Sequence, residues 1–338
     1  MKTLKDVALK AGVSIATVSR VLGGEYPVSA TTKQRVLDAI GVLDYHPNGV
    51  ARSLRSAKTH TLGVLVPDLA NPYFMQLVRA IENTVNDLGY HLLVASSNES
   101  VDLERDLLRI FLEKRLDGVV MAPVSLDGSD VFSSFISGTV PVVFVDRIIG
   151  GLLVDSVREE GRRSSQKLTN YLIDQGHSQI AIINRHGATS TANEREQGFR
   201  DAMLSAGIGV QKEYVVVGEY DQETGYRAGK RFLSMGKKTP TAVFCTNNLI
   251  TLGLLQAVYE VGGHVPNDLS VVSFGDPFTA DFISPKMTIV VQNPVQVGTQ
   301  AARVLLRRLE GTDTQERPEE IILPTSIRLG ESVQRINI

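Results

Sequence analysis

The sequence predicts two modules, a small all-α headpiece of helix-turn-helix form and an α/β body of two doubly wound parallel-sheet lobes. Three observations carry this. Between Leu4 and Leu43 apolar residues recur at helical spacing in three short stretches, broken at Gly12 and restarted at Ser29. From residue 62 onward, eight short apolar runs alternate with amphipathic stretches, the pattern of parallel strands joined by right-handed crossovers. These eight runs fall into two groups of four, as two similar lobes facing across a cleft would require. A length of 338 residues accommodates a module of about 60 residues and a body of two domains.

In the first helix Leu4, Val7, Ala8 and Ala11 form one buried face. Gly12 ends it, and Ser14 is placed to cap a second helix that buries Val18, Val21 and Leu22. The opposite face of that second helix carries Ala16 and Arg20, flanked by Thr17 and Ser19. Small residues let a backbone approach, hydroxyls suit phosphates, and one arginine suits a guanine edge. Ser29 caps a third helix with Val36, Ile40 and Leu43 as its stripe and with Lys33 and Arg35 outside it. Pro47 closes this unit. The next segment, Asn48 to Ser56 (NGVARSLRS), sets Val50, Ala51 and Leu54 on one face and Arg52 and Arg55 off it. A helix of nine residues is marginal in water, so it is expected to order on docking.

KDVALKAGVSIATVSRVL followed by VSATTKQRVLDAIGVLDYHPNGVARSLR resembles the headpiece and hinge of the lactose-repressor (LacI/GalR) family of bacterial transcription factors. The resemblance implies a headpiece over residues 1–47, a hinge helix and linker over 48–60, and a double-stranded DNA operator as partner. It places the second helix in the major groove, so Ile15, Ala16 and Arg20 would read bases. Arg20 is the long donor there; Ile15 fits a thymine methyl contact and a half-buried core position equally well. Ser14, Thr17, Ser19 and Asn48 would hold phosphates. Leu54 matches the family's minor-groove wedge, with plain hinge packing as the alternative, and Arg52 and Arg55 beside it would meet the DNA backbone. Family members bind near-palindromes as two-fold homodimers. Family tetramers use a leucine-heptad helix after the core. The last residues, IILPTSIRLGESVQRINI, carry no heptads, so a dimer is expected.

Charge is distributed to match. Residues 1–60 hold nine Lys/Arg against four Asp/Glu, a net +5, and the other 278 hold 26 against 33, a net −7. A basic arm on an acidic body assigns the polyanion to the arm. The single cysteine, Cys245, suits a reducing compartment. Lys2, Lys5, Asp6 and Lys10 interrupt any apolar run at the start, and no stretch approaches a membrane span. A cytoplasmic protein without a membrane partner is the expectation.

In the body the runs are Leu62–Val66, His91–Ala95, Gly118–Met121 and Val140–Val145, then Ile180–Ile183, Tyr214–Val217, Ala242–Cys245 and Leu269–Phe274. Tyr73–Leu88 and Glu104–Lys114 carry helical periodicity between them. Several runs end in polar or turn residues (VLVPDLANP, FVDR, FCTNN, SFGDP), at the carboxyl edge where open parallel sheets bind ligands. This body resembles the periplasmic-binding-protein-like core of the same family. That implies three crossovers, near Glu160–Gly161, Val290–Val291 and Leu323–Pro324. One lobe would then be 61–160 with 291–323, the lobe nearer DNA, and the other 161–290 with 324–338.

Carried over by position, the small-molecule effector would meet Asp68, Asn71, Tyr73, Phe74, Asp146 and Arg147 on one lobe. On the other it would meet Arg195, Tyr220, Asn247 and Asp276, with Gln292 at a crossover. Aromatic faces beside arginine, amide and carboxylate groups suit a sugar or sugar derivative. Two positions depart from the family. Phe274-Gly275-Asp276 stands where Phe-Asp-Asp or Phe-Asp-Asn is usual, so either the pocket takes an unusual ligand with Asp276 shifted into the gripping role, or effector control is weak. Glu159-Glu160 stands where Asp-Asn is common.

Two rival readings share parts of this pattern: a sugar-binding module for transport, and a sugar-modifying enzyme with a vestigial DNA-binding head. No GxxxxGK[ST], GxGxxG or HExxH is present, and the histidines at 46, 60, 91, 177, 186 and 264 do not cluster. The expectation is a regulator without catalytic residues, metal or cofactor.

Overall fold

The computed structural model describes residues 2–23, 28–45, 58–124, 140–185, 189–277, 284–311 and 317–336. The chain divides into two compact units, Met1–Thr59 and His60–Ile338.

The first unit holds helices α1 (Leu4–Ala11), α2 (Ile15–Gly23) and α3 (Ala30–Leu43). Thr3 and Asp6 form a reciprocal capping box at the start of α1, and Gly12 ends it in the left-handed region at φ 63°. The Ser14 hydroxyl accepts the Thr17 amide at 3.1 Å, and that of Ser29 accepts the Thr32 amide at 3.3 Å. Val7, Ala8, Ala11, Val18, Val36 and Ala39 are buried between the helices, closed at one end by Tyr45. On α3 the stripe therefore turns slightly from the expected one: Ala39 is buried while Ile40 and Leu43 are half-buried.

The second unit is built on two six-stranded sheets. The first contains β1 (Thr61–Val66), β2 (His91–Ser96), β3 (Gly118–Met121), β4 (Val142–Val145), β5 (Asp155–Glu159) and β11 (Glu320–Leu323), in the order β11-β5-β4-β3-β1-β2 and all parallel. The second contains β6 (Ile180–Arg185), β7 (Val215–Gly218), β8 (Ala242–Cys245), β9 (Ser270–Phe274), β10 (Thr288–Val291) and β12 (Ser326–Arg328), in the order β12-β10-β9-β8-β6-β7. Among the described strands only β12 runs antiparallel to its neighbour. The chain thus leaves the first sheet after Glu159, returns to the first lobe after Val291, and crosses again after Leu323.

Helices α4 (Pro72–Asn86), α5 (Val101–Glu113) and α10 (Pro294–Glu310) cover the first sheet. The second is covered by α6 (Gly161–Asp174), α7 (Ser190–Ser205), α8 (Gln222–Leu233) and α9 (Asn248–Glu260). Strand β1 shows why the pattern reads as a buried strand. Leu62, Val64 and Val66 enter one core and Leu65 the other, while Gly63 leaves room for Phe111 and Leu116. Each large apolar side chain so buried contributes about 1.5–3 kcal/mol. Helices α8 and α9 approach closely through Gly225 and Gly253; a Cβ at Gly253 would lie 1.8 Å from the Gln222 carbonyl oxygen.

Among the described residues there are twelve strands where eight apolar runs are visible in the sequence. Strand β5 (DSVRE) escapes the pattern because its acids have dedicated partners. Asp155 receives two hydrogen bonds from Arg308, both at 2.8 Å, and Glu159 receives three donors described below. No described helix is long and apolar enough to cross a membrane.

Candidate functional site

In the headpiece unit Ser14, Ile15, Ala16 and Arg20 are exposed, and Thr17 and Ser19 are half-buried. Ile15 is 45% exposed, so its side chain is not part of the three-helix core. The Ser14 and Thr17 hydroxyls are also 2.9 Å apart. Arg35, which the sequence shows only as a charge outside the α3 stripe, reaches across to the turn between α1 and α2. Its Nη2 donates to the carbonyl oxygens of Ala11 (2.5 Å) and Gly12 (3.2 Å). The cation therefore sits on the negative end of α1 and fixes the entry to α2. Asn48, Arg52, Leu54 and Arg55 lie outside the described residues.

In the second unit the carboxyl edges of the two sheets face one cleft. From the first lobe it is lined by Asn71, Tyr73, Phe74, Asp146 and Arg147. From the second it is lined by Arg195, Tyr220, Asn247, Asn248 and Phe274, with Gln292 from the second crossover. Local sequence places them. Asn71 caps α4 just ahead of Pro72, which brings Tyr73 and Phe74 into the first turn. Asp146 follows β4 in the left-handed region at φ 60°, and Asn247 caps α9 by accepting the Ile250 amide at 2.8 Å. Arg195 projects from α7.

The charged groups are layered. Arg147, 2% exposed, makes a two-pronged bond to Glu99 (2.8 and 2.6 Å), and Arg185 from the opposite sheet joins the same carboxylate at 3.1 Å. Burial works to raise the Glu99 carboxyl, but these guanidiniums hold it below the ordinary carboxylate range. Burial lowers and Glu99 raises the Arg147 guanidinium, with a net rise. Asp146 lies 3.6 Å from Arg147 Nε and 4.0 Å from Arg195 Nη2. Burial pushes its carboxyl up, only partly offset by the two cations. Arg195 donates to the Thr246 carbonyl at 2.8 Å, and its guanidinium carbon lies 3.9 Å from the Phe274 ring centroid. The Tyr220 ring has Arg147 and Arg195 at 5.8 and 5.9 Å.

Several contacts join the lobes directly. The Asn71 and Asn248 side-chain amides exchange two hydrogen bonds, at 3.2 and 3.0 Å. The Ile148 amide donates to the Ser190 hydroxyl at 3.0 Å, and Arg158 donates to Glu194 at 2.7 Å. Burial raises the Glu194 carboxyl against the pull of Arg158 and Arg195. Within the cleft the Nε atoms of Arg147 and Arg195 and the Tyr220 hydroxyl are buried with no hydrogen-bond partner among the described residues. Arg147 Nε has the Asp146 carboxylate at 3.6 Å, whereas Arg195 Nε and the Tyr220 hydroxyl are expensive to leave unmatched, and a ligand rich in oxygen would satisfy both.

Asp68 and Asp276 are not brought to the lining. The Asp68 carboxylate is spent on its own turn, accepting the Ala70 amide at 2.7 Å. Gly275, at φ 85°, swings the chain outward so that Asp276 pairs with Arg328 on the surface. The gripping role assigned to Asp276 is therefore corrected: the Phe274 ring faces Arg195 instead. Asn248 and Phe274 are lining residues that sequence reasoning missed. The second asparagine of FCTNN was an available signal; Phe274 reads only as the end of a core strand.

The model for bacterial regulatory proteins of the lacI family matches residues 3–48, and that for the periplasmic binding protein-like domain matches residues 169–333. The chain is 32% identical over 337 residues to the HTH-type transcriptional repressor PurR of Photobacterium profundum, covering 100% of both chains. It is 33% identical over 338 residues to PurR of Mannheimia succiniciproducens, covering 99% of this chain and 100% of that one. Among solved structures, the Lac repressor dimer bound to operator and the anti-inducer ONPF superposes with a TM-score of 0.85 at 27% identity, over 98% of this chain and 99% of that one. A complex of the transcriptional regulator CelR with cellobiose gives 0.72 at 29% identity, over 98% and 100%. The chain belongs to the LacI family and is a ligand-responsive, sequence-specific DNA-binding transcriptional regulator, not an enzyme.

Proposed function

We propose that this regulator is a homodimeric repressor whose affinity for a palindromic operator is tuned by a sugar or sugar derivative in the inter-lobe cleft. On this reading residues 1–47 are the headpiece, 48–60 the hinge and 61–338 the effector core, acting in the cytoplasm. Ile15, Ala16, Arg20 and Leu54 read bases, while Ser14, Thr17, Ser19, Asn48, Arg52 and Arg55 hold the backbone. The effector lies among Asn71, Tyr73, Phe74, Asp146, Arg147, Arg195, Tyr220, Asn247 and Gln292.

The observation that carries the effector assignment is the pair of buried, unmatched polar atoms on Arg195 and Tyr220 beside aromatic rings. A polyhydroxylated ring supplies acceptor oxygens to these atoms, hydroxyl protons to Asp146, and an apolar face to the rings. The cellobiose held by the CelR structure is a ligand of this chemistry. The exposed small residues and single arginine of α2 fit a major groove, and a single headpiece offers too little contact for specific binding without a symmetry mate. On this reading the factor by which the effector changes the affinity for DNA is also the factor by which DNA changes the affinity for the effector.

The test is in vitro selection of random duplex DNA with the full-length protein. A palindrome with half-sites about one helical turn apart supports a dimeric reader. That duplex then reports release or tightening by neutral sugars, sugar acids and sugar phosphates added one at a time. Recovery of an asymmetric single site rejects the dimer, and no response to any sugar class rejects the effector assignment.

A further inference from the structure

Glu159 stands where the three crossovers between the lobes meet. It is the last residue of β5 and is 8% exposed. It lies in register with Leu323 of β11, and the next residue, Glu160, donates its amide to the Leu323 carbonyl at 3.1 Å. The first and third crossovers therefore leave the sheet side by side. The Glu159 carboxylate reaches the second crossover as well: one oxygen accepts the Asn293 backbone amide at 2.5 Å, and the other accepts the Gln292 side-chain amide at 2.8 Å. A third donor comes from the cleft wall, the Tyr73 hydroxyl at 3.3 Å.

All three donors are neutral, and Arg195 acts on this buried carboxylate only through space. Burial raises its proton affinity, the Asn293 and Gln292 amides oppose that, Asp146 adds to it and Arg195 subtracts. Losing a donor is costly for such a group. Two of the donors, Tyr73 and Gln292, also line the cleft. The other end of the Gln292 amide fills the space beside Gly275 of the opposite lobe, where a Cβ would lie 2.6 Å from Oε1. Asn293 in turn caps α10 by accepting the Gln296 amide at 3.0 Å, and α10 lies against α4 with Gly298 close to the Leu77 carbonyl.

We propose that Glu159 is the positioning residue through which occupation of the cleft is felt at the crossovers. This rests on the cleft being the effector site. A ligand that takes the Tyr73 hydroxyl or the Gln292 amide removes a donor from the carboxylate. The carboxylate then turns from Asn293 to recover a donor, and this frees the start of α10. Glutamate suits this because its length lets one carboxylate touch both the cleft wall and the second crossover. An aspartate, one methylene shorter, reaches one or the other.

The coupling is testable without knowing the ligand. Amide hydrogen exchange at Asn293 is measured in full-length protein for the wild type, Tyr73→Phe, Glu159→Gln and the double variant. Tyr73→Phe imitates withdrawal of the hydroxyl. The expected result is exchange about five-fold faster at Asn293 in the wild-type background and no change in the Glu159→Gln background. Equal acceleration in both backgrounds, or none in the wild type, overturns the proposal. If Glu159→Gln does not fold, Glu159→Asp serves as the second background with the same expectations. The effector reading fails separately, when no sugar alters DNA binding.

Discussion

The Asn71 and Asn248 side chains face each other across the cleft as a reciprocal amide pair, each donating to the other's oxygen. Both asparagines sit at helix N-termini, Asn71 as the cap of α4 and Asn248 as the first residue of α9. The pair therefore ties the start of a helix in one lobe to the start of a helix in the other. Asn71 has a second duty, accepting the Tyr73 amide at 3.0 Å, whereas both of these hydrogen bonds of the Asn248 side chain go to Asn71.

That asymmetry makes Asn248→Ala the cleaner probe of closure. Removing the pair costs the closed arrangement about 1–2 kcal/mol, a shift of roughly 5–30-fold in the closing equilibrium. Small-angle scattering of the full-length variant is expected to show a larger radius of gyration, with thermal stability of each lobe little changed. An unchanged scattering profile would mean that the other contacts between the lobes, Glu99–Arg185, Ile148–Ser190 and Arg158–Glu194, set the closed state. Asn71→Ala is expected to cost more, because the α4 cap is lost with the pair.

Arg20 is exposed on α2 with small residues around it, so its contribution is expected to be specific. Arg20→Ala should lower discrimination at one base pair by about 1–3 kcal/mol while leaving non-specific binding nearly intact. Repeating the DNA selection with the variant checks this: one position of the recovered site loses its preference. Uniform weakening on every sequence would make Arg20 a phosphate contact instead.

Arg35 predicts the opposite signature. Its guanidinium is turned to the Ala11 and Gly12 carbonyls, so it shapes the turn. Arg35→Gln is expected to weaken binding to the selected operator with the salt slope unchanged. A phosphate contact would instead lower that slope by about 0.9. Gly12 belongs to the same device. Its left-handed backbone suits glycine, and a Cβ there would lie 2.6 Å from the Arg35 guanidinium. Arg35 can swing away, so Gly12→Ala should cost mainly backbone strain, about 1–2 kcal/mol of headpiece stability.

What the sequence made legible follows from what periodicity can encode. The three headpiece helices and the apolar runs of the two central sheets were readable because each repeats one chemical property at a fixed spacing. Strands β5, β10, β11 and β12 were not, since DSVRE, TIVV, EIIL and SIR are short or polar, and the acids of β5 are matched by Arg308, Asn293 and Gln292 from distant sequence. The cleft followed the same rule. Residues at the ends of recognisable strands and at caps, such as Asn71, Asp146 and Asn247, were found by position. Asp276 was misplaced because one glycine, Gly275, in the left-handed region, turns the chain just before it so that the carboxylate meets Arg328. Glu99 and Glu159 support the cleft through partners far along the chain, Arg147 for the first and Gln292 and Asn293 for the second, which no local pattern records.

The cleft carboxyls also set a pH dependence with a defined sign. Asp146, Glu159 and Glu194 all have proton affinities raised chiefly by burial. Between the ordinary carboxylate range near about 4 and their raised native values, the folded state binds more protons than the unfolded chain. Stability therefore rises as pH falls from neutrality through that window. Glu99 acts in the other direction, because its guanidinium partners depress it. Its stabilisation is present above the ordinary range and is lost as pH falls through the depressed native value. The expected thermal profile climbs on mild acidification and then drops steeply in stronger acid. Asp146→Asn should flatten the climb without moving the drop, and Glu99→Gln should lower stability at neutrality and soften the drop. Melting curves of the full-length protein and both variants between about pH 3 and pH 8 check this; a wild-type profile that falls steadily from neutrality would mean that the raised carboxyls are already neutralised by their cations.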